Sequence, residues 1–224
     1  YDGLLDFITR MRDVSGKPVG FKMVVGNRTD LEELAAAIVK TGLHPDFITI
    51  DGAEGGTGAT YKSMADSVGL PLKSALLLAK DVFHEYKIRA KFKLIASGKL
   101  VEADRIAIAL SMGADLVQIA RGFMISVGCI GAMKCHTNEC PVGVATTDDN
   151  LQKALVVGEK RYRVTNYVLT LRQDVFAIAA ACGIDCPSKF HDYHVVDKES
   201  NGAVYTMNEL TQHQHATPGK QLIS

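Results

Sequence analysis

Four short apolar runs limit what this chain can fold into: PVGFKMVVG (18–26), FITI (47–50), KFKLIASG (91–98) and LVQIA (116–120). Helical stretches separate them, so the pattern alternates strand and helix. Leu4 to Val14 has helical spacing and stops at Gly16. LEELAAAIVK follows Thr29 and Asp30, where Thr29 with Glu32, or Asp30 with Glu33, is expected to form a capping box, with Gly42 beyond the end. Pro71 opens a helix through Leu72, Ala75, Leu76, Ala79 and Phe83, and the segment 101–112 is another, closed by Gly113. Runs apolar on both faces, such as 18–26, read as parallel strands buried on both sides. Parallel neighbours need right-handed crossovers, which a TIM-type (β/α)8 barrel and a doubly wound α/β sheet both provide.

Glycine or charge follows every strand: Gly26-Asn27-Arg28, Asp51-Gly52, Ser97-Gly98-Lys99 and Arg121-Gly122. Function gathers at that edge in both folds. A barrel needs eight strand–helix units and about four are legible here. Either the chain is the C-terminal half of a barrel, or the sheet stays open. Residues 1–150 are expected to hold those units together with a cysteine loop at 128–146. Residues 151–224 are expected to add a C-terminal helix and an irregular tail packing on the barrel. The helix is carried by Val164, Tyr167, Val168, Leu171, Val175, Ile178 and Cys182, with Gly183 after it. Beyond Pro187 the sequence is polar and bears histidines, so it is expected to be irregular.

Lys+Arg and Asp+Glu number 25 each, which gives no electrostatic case for nucleic acid or an anionic membrane. No run is long and apolar enough to span a bilayer. The opening YDGLLDFITRM has neither the charge nor the apolar run of a signal peptide, so a cytoplasmic location is expected. It also lacks an initiator Met, so the natural start is expected upstream.

Five cysteines is an odd count, which argues against a secreted disulfide framework. Three of them crowd into GCIGAMKCHTNECPVGVAT as C-x5-C-x4-C, at Cys129, Cys135 and Cys140. Zinc prefers four ligands in tighter pairs, although His136 could serve as a fourth. Iron–sulfur clusters take thiolates from loops, often with proline after the last cysteine, as in Cys140-Pro141. Small buried thiols are the plain alternative. Cys182 falls on the apolar helix face and reads as core; Cys186 is a remote candidate for a fourth ligand.

Ser97-Gly98-Lys99 sits between a strand and a helix, where freed backbone N–H groups and a lysine suit a phosphate. Ala120-Arg121-Gly122 repeats the arrangement at the next strand end. Lys99 and Arg121 could equally be solvated charges. Lys22 lies inside an apolar strand, so it either faces an anionic ligand or points to water from a half-exposed strand. DGAEGGTGAT after the second strand could wrap a ligand with main-chain donors. Asp51 and Glu54 within it could act as acid, base or orienting groups.

Taken together, FKMVVG, FITIDGAEGGTGAT, LIASGKL, GAD and the cysteine block resemble the FMN-binding domain of glutamate synthases, from about Leu4 to near Pro218. The resemblance implies a (β/α)8 barrel that binds FMN and one 3Fe–4S cluster. It implies Cys129, Cys135 and Cys140 as cluster ligands, and Ser97, Gly98, Lys99, Arg121 and Gly122 at the FMN phosphate. It also implies Lys22 beside flavin and 2-oxoglutarate, as the candidate catalytic residue, and Gly55, Gly56 and Thr57 as the loop beside the flavin. In that family ammonia and 2-oxoglutarate give 2-iminoglutarate, which the reduced flavin converts to L-glutamate, with the cluster feeding electrons. Ferredoxin or a reductase subunit is the implied donor, and the N-terminal half of the barrel the implied structural partner. An amine in place of ammonia, giving an N-substituted glutamate, is an alternative, as is a non-catalytic half-barrel. The family's phosphate loop continues with Thr-Gly, whereas here it continues Val101-Glu102-Ala103-Asp104. Two acids suit a phosphate only if they begin the helix and face away. No amidotransferase segment with an N-terminal cysteine nucleophile is present, so ammonia release from glutamine is not expected of this chain.

Overall fold

The computed structural model describes residues 1–56, 64, 67–198, 202–207 and 209. Four strands, β1 (Gly20–Val24), β2 (Phe47–Asp51), β3 (Lys93–Ser97) and β4 (Leu116–Gln118), form one sheet in the order β1-β2-β3-β4. Every pairing is parallel. A doubly wound sheet reverses its strand order at a switch point. This sheet never reverses, so its winding is that of a barrel.

Helices return the chain between strands. α1 (Asp2–Ser15) leads into β1, and α2 (Arg28–Thr41), α3 (Leu72–Glu85) and α4 (Ala103–Ser111) follow β1, β2 and β3. α1 and α2 end on Gly16 and Gly42, whose φ values of 62° and 71° put both in the left-handed region. The start of α2 differs from the expected capping box. Asn27 is the cap, and its side chain accepts from the Asp30 N–H at 3.0 Å, so the helix begins ahead of Thr29. Arg28 then reaches Glu32, Asp81 and Glu85, clasping α2 to α3.

Alternate strand residues separate two faces. Ile48, Ile50, Leu94 and Ala96 are fully buried against the helices, with Leu34, Ile38, Leu76 and Phe83. The register places Lys22, Thr49, Ile95 and Leu116 in one row of the other face, and Val24, Asp51, Ser97 and Gln118 in the row at the strand ends. β1 is not buried on both sides as its sequence suggested. It is the first strand of the sheet, and Val24 is 49% exposed on the concave face.

Asp46 fastens the base of the sheet. Its Oδ2 accepts from Arg12 Nε at 2.8 Å and from the Val19 N–H at 2.7 Å. Burial alone would raise this carboxyl, but the Val19 N–H and the Arg12 guanidinium hold it below its ordinary 3.8. A depressed folded value makes the contribution complete above 3.8, and it disappears as pH falls through the folded value. Asp46→Asn is therefore expected to cost about 1–2 kcal/mol at neutral pH. It should also flatten the acid limb of a melting-temperature profile; an unchanged limb would remove this role.

Past β4 come α5 (Arg121–Ser126), the short α6 (Asp149–Gln152) and the 25-residue α7 (Val157–Ala181), which packs on α4 and α5. Among the described residues the tail is more ordered than its composition suggested. Two short 3-10 turns, Pro187–Lys189 and Asp192–His194, lead to an antiparallel ribbon of β5 (Val196–Lys198) and β6 (Val204–Thr206). Among the described residues no helix is long and apolar enough to cross a membrane.

Candidate functional site

The C-terminal ends of β1 to β4 collect the predicted polar residues around one small cavity of about 80 Å³. Lys22, Asp51, Gly55, Gly56, Ser97, Gly98, Lys99 and Arg121 all line it. Four separate loops thus converge, because parallel strands in register deliver their ends to one edge.

Lys22 stands one row below the strand ends and leans up to Asp51. Its Nζ lies 2.9 Å from Asp51 Oδ2, and its side chain keeps 53% of its exposure toward the concave face. Lys22 is thus half-exposed and lines the cavity. Asp51 itself is buried, and its Oδ1 has no hydrogen-bond partner among the described residues. Gly55 packs directly over that oxygen; a Cβ there would overlap it.

The β3–α4 turn is tightly built. The Gly52 N–H donates to Ser97 O at 2.8 Å, and a Cβ on Gly98 would sit 3.2 Å from Gly52 N. Gly98 has φ 138° and Lys99 φ 47°, a left-handed conformation unusual for lysine. The Val101 N–H closes the turn on Lys99 O at 2.9 Å. Glu102 is the N-cap residue of α4 and Asp104 lies in its first turn, so both acids begin the helix. Neither lines this cavity among the described residues.

Arg121 ties two loops together: its Nη2 donates to Gly56 O at 3.2 Å. Gly122 does not line the cavity; Tyr167 of α7 packs on it. Glu54 has a role the sequence did not single out. Both its carboxylate oxygens accept from the Leu72 N–H, at 3.0 and 3.1 Å, capping α3. Thr57 lies outside the described residues.

A second cavity, of about 430 Å³, adjoins the first and shares Gly56 and Arg121 with it. Cys129, Cys135 and Cys140 line it, among apolar neighbours such as Met124, Ile130 and Val142. Burial would raise the Cys140 thiol, but the N–H groups of Ala145, Val142, Val144 and Gly143 donate to its sulfur and lower it overall. Asn138, missed by the sequence reading, staples this loop. It adopts φ 64°, and its Oδ1 accepts from the Thr147 N–H at 2.7 Å while its carbonyl accepts from Thr146 Oγ1 at 2.6 Å. Asn in a left-handed position within a short polar run was the available signal.

Among the described residues no three Cys, His, Asp or Glu side chains group closely enough to hold one metal ion. Cys182 packs beside Ala107, Ala179 and Phe190, in keeping with a core thiol. Cys186 Sγ instead contacts Ser188 Oγ at 3.1 Å.

Sequential parallel winding with a charged, glycine-bearing C-terminal edge defines the barrel class of α/β proteins. A flavocytochrome b2 variant with pyruvate bound has the same fold, with a TM-score of 0.53 over 98% of this chain and 45% of that one, at 12% identity. A family model described as a conserved region in glutamate synthase matches residues 1–185, and the chain belongs to that family. The glutamate synthase large subunit-like protein YerD of Bacillus subtilis is 53% identical over 207 residues, covering 92% of this chain and 39% of its own length. The archaeal-type glutamate synthase [NADPH] of Thermotoga maritima is 31% identical over 169 residues, covering 75% of this chain and 32% of its own. The chain thus spans about two fifths or less of the lengths of these relatives.

Proposed function

We propose that this chain carries the FMN-phosphate and cluster-binding part of a glutamate synthase-type oxidoreductase, which forms L-glutamate from 2-oxoglutarate and ammonia through 2-iminoglutarate. The observation that carries the reading is the meeting of two cavities at Gly56 and Arg121, one lined by Lys22, Ser97, Gly98 and Lys99 and the other by three thiols. Bound FMN would supply hydride chemistry at the imine carbon, and a bound 3Fe–4S cluster would supply one-electron transfer to the flavin.

The residues fit both groups. Gly98 lets the β3–α4 turn pack against Gly52, and the main-chain N–H groups of Ser97 to Lys99 with the Lys99 ammonium suit a dianionic phosphate. Arg121 adds charge from the next strand end. Lys22, held by Asp51, presents an ammonium to the concave face, where it would stabilise the flavin N1–O2 edge or a substrate carboxylate. The buried Cys140 thiol is lowered from its ordinary value by the backbone N–H groups around it, which suits a cluster ligand. Cys129 and Cys135 complete the ligand set on the same cavity wall. Electrons are proposed to arrive from a ferredoxin or a reductase subunit, and the first half of the barrel to close the concave face.

The test is an absorption spectrum, with iron and sulfide content, of anaerobically prepared full-length protein, followed by turnover with ammonia and with methylamine. Flavin bands, a broad iron–sulfur shoulder and ammonia-dependent glutamate are expected. Colourless protein overturns the reading, and preference for methylamine would reassign the amine. Lys99→Ala is expected to weaken FMN binding by about tenfold or more, through loss of a charge-assisted contact. An unchanged titration removes the phosphate assignment.

A further inference from the structure

We infer that Tyr167 of α7 is a positioning residue that sets the distance between the two phosphate loops, an inference that rests on the FMN reading above. Tyr167 touches both the turn after β3 and the start of α5. Its hydroxyl donates to Val101 O at 2.9 Å, and Val101 is the residue that closes the Ser97–Lys99 turn. The same ring lies on Gly122, where a Cβ would overlap the tyrosine oxygen, and meets Phe123 edge-on with centroids 5.6 Å apart. Gly122 is thus small because Tyr167 stands over it. Lys99 and Arg121, the two cations of the phosphate end, each sit within two residues of one of these contacts.

Most of α7 is exposed, with only Val175 and Ala179 buried in it, yet this polar group is aimed inward at one carbonyl. Burial raises the Tyr167 hydroxyl, so it remains a protonated donor through neutral pH. A ligand that must be gripped from two strand ends is sensitive to their separation, since displacements of about 1 Å cost large factors in affinity or rate. The tail helix, outside the sheet, thereby governs how well the two loops act as one.

The test compares FMN with riboflavin, which lacks the phosphate, in flavin titrations of the full-length protein. Tyr167→Phe keeps the ring and removes the hydroxyl. It is expected to weaken FMN by about fivefold to tenfold, the worth of one hydrogen bond, and to leave riboflavin unchanged. Gly122→Ala should weaken FMN in the wild-type background and have a smaller effect beside Tyr167→Ala, where the overlap with the tyrosine ring is relieved and only the closer contact with Ile119 remains. Unchanged FMN affinity in Tyr167→Phe, or equal losses for FMN and riboflavin, overturns the inference. If Lys99→Ala weakens FMN while Tyr167→Phe does not, only the role of Tyr167 falls. If neither does, the phosphate site itself is wrong.

Discussion

Serine at position 140 is expected to strip the protein of iron and acid-labile sulfide while leaving the sheet folded. Cys140 is the buried member of the loop's three cysteines, and its sulfur already accepts N–H groups from Val142, Gly143, Val144 and Ala145. A hydroxyl in the same place is a poor ligand for iron at neutral pH, because it holds its proton. Loss of a direct ligand should exceed the roughly 10–100-fold that even outer partners carry in metal affinity. The comparison variant is Cys182→Ser. Cys182 lies beside Ala179 and Phe190, away from the cavity that Cys129, Cys135 and Cys140 line. Iron should therefore stay bound in Cys182→Ser and leave in Cys140→Ser. Equal iron in the two proteins would end the cluster assignment.

Lys22→Met should be the most damaging substitution at the concave face. It removes the one cation paired to Asp51 and leaves that buried carboxylate with neither oxygen partnered among the described residues. Leaving a buried charge without its partner costs roughly 3–5 kcal/mol when water is fully excluded, and about half that is expected here because Lys22 is half in solvent. Turnover should fall by about a hundredfold or more, the scale of losing one preorganised group at a developing charge. The two effects separate in the double variant Lys22→Met/Asp51→Asn. Neutralising Asp51 should restore the melting temperature and leave turnover low. If the double variant recovers both, Lys22 is structural, and its proposed contact with flavin or substrate is wrong.

The strands were legible because each apolar run stands against a sharp boundary of glycine or charge. FITI became Phe47–Asp51 and LVQIA became Leu116–Gln118, within a residue or two. The cap of α2 was misplaced because Asn27, Thr29 and Asp30 are all competent caps. Choosing among them depends on where β1 lets the chain turn. The residues of the cysteine loop were legible as a cluster of thiols, but their grouping on one cavity wall depends on Asn138 and Gly143 in left-handed turns. Glu54 could be named as an acid. Its use as the cap of α3, 18 residues onward, could not be read from spacing.

Sequence alone determined the alternation of strand and helix, the glycine-bounded strand ends and the three crowded thiols, because each is a local pattern of side-chain size, charge and backbone freedom. Only the tertiary structure decided that the sheet winds in one direction, that Lys22 finds Asp51, and that Tyr167 reaches from a distant helix to both the β3–α4 turn and the start of α5. Those outcomes join residues 29, 45 and 66 positions apart. Contacts at such separations are set by strand register and helix packing, which no local pattern encodes.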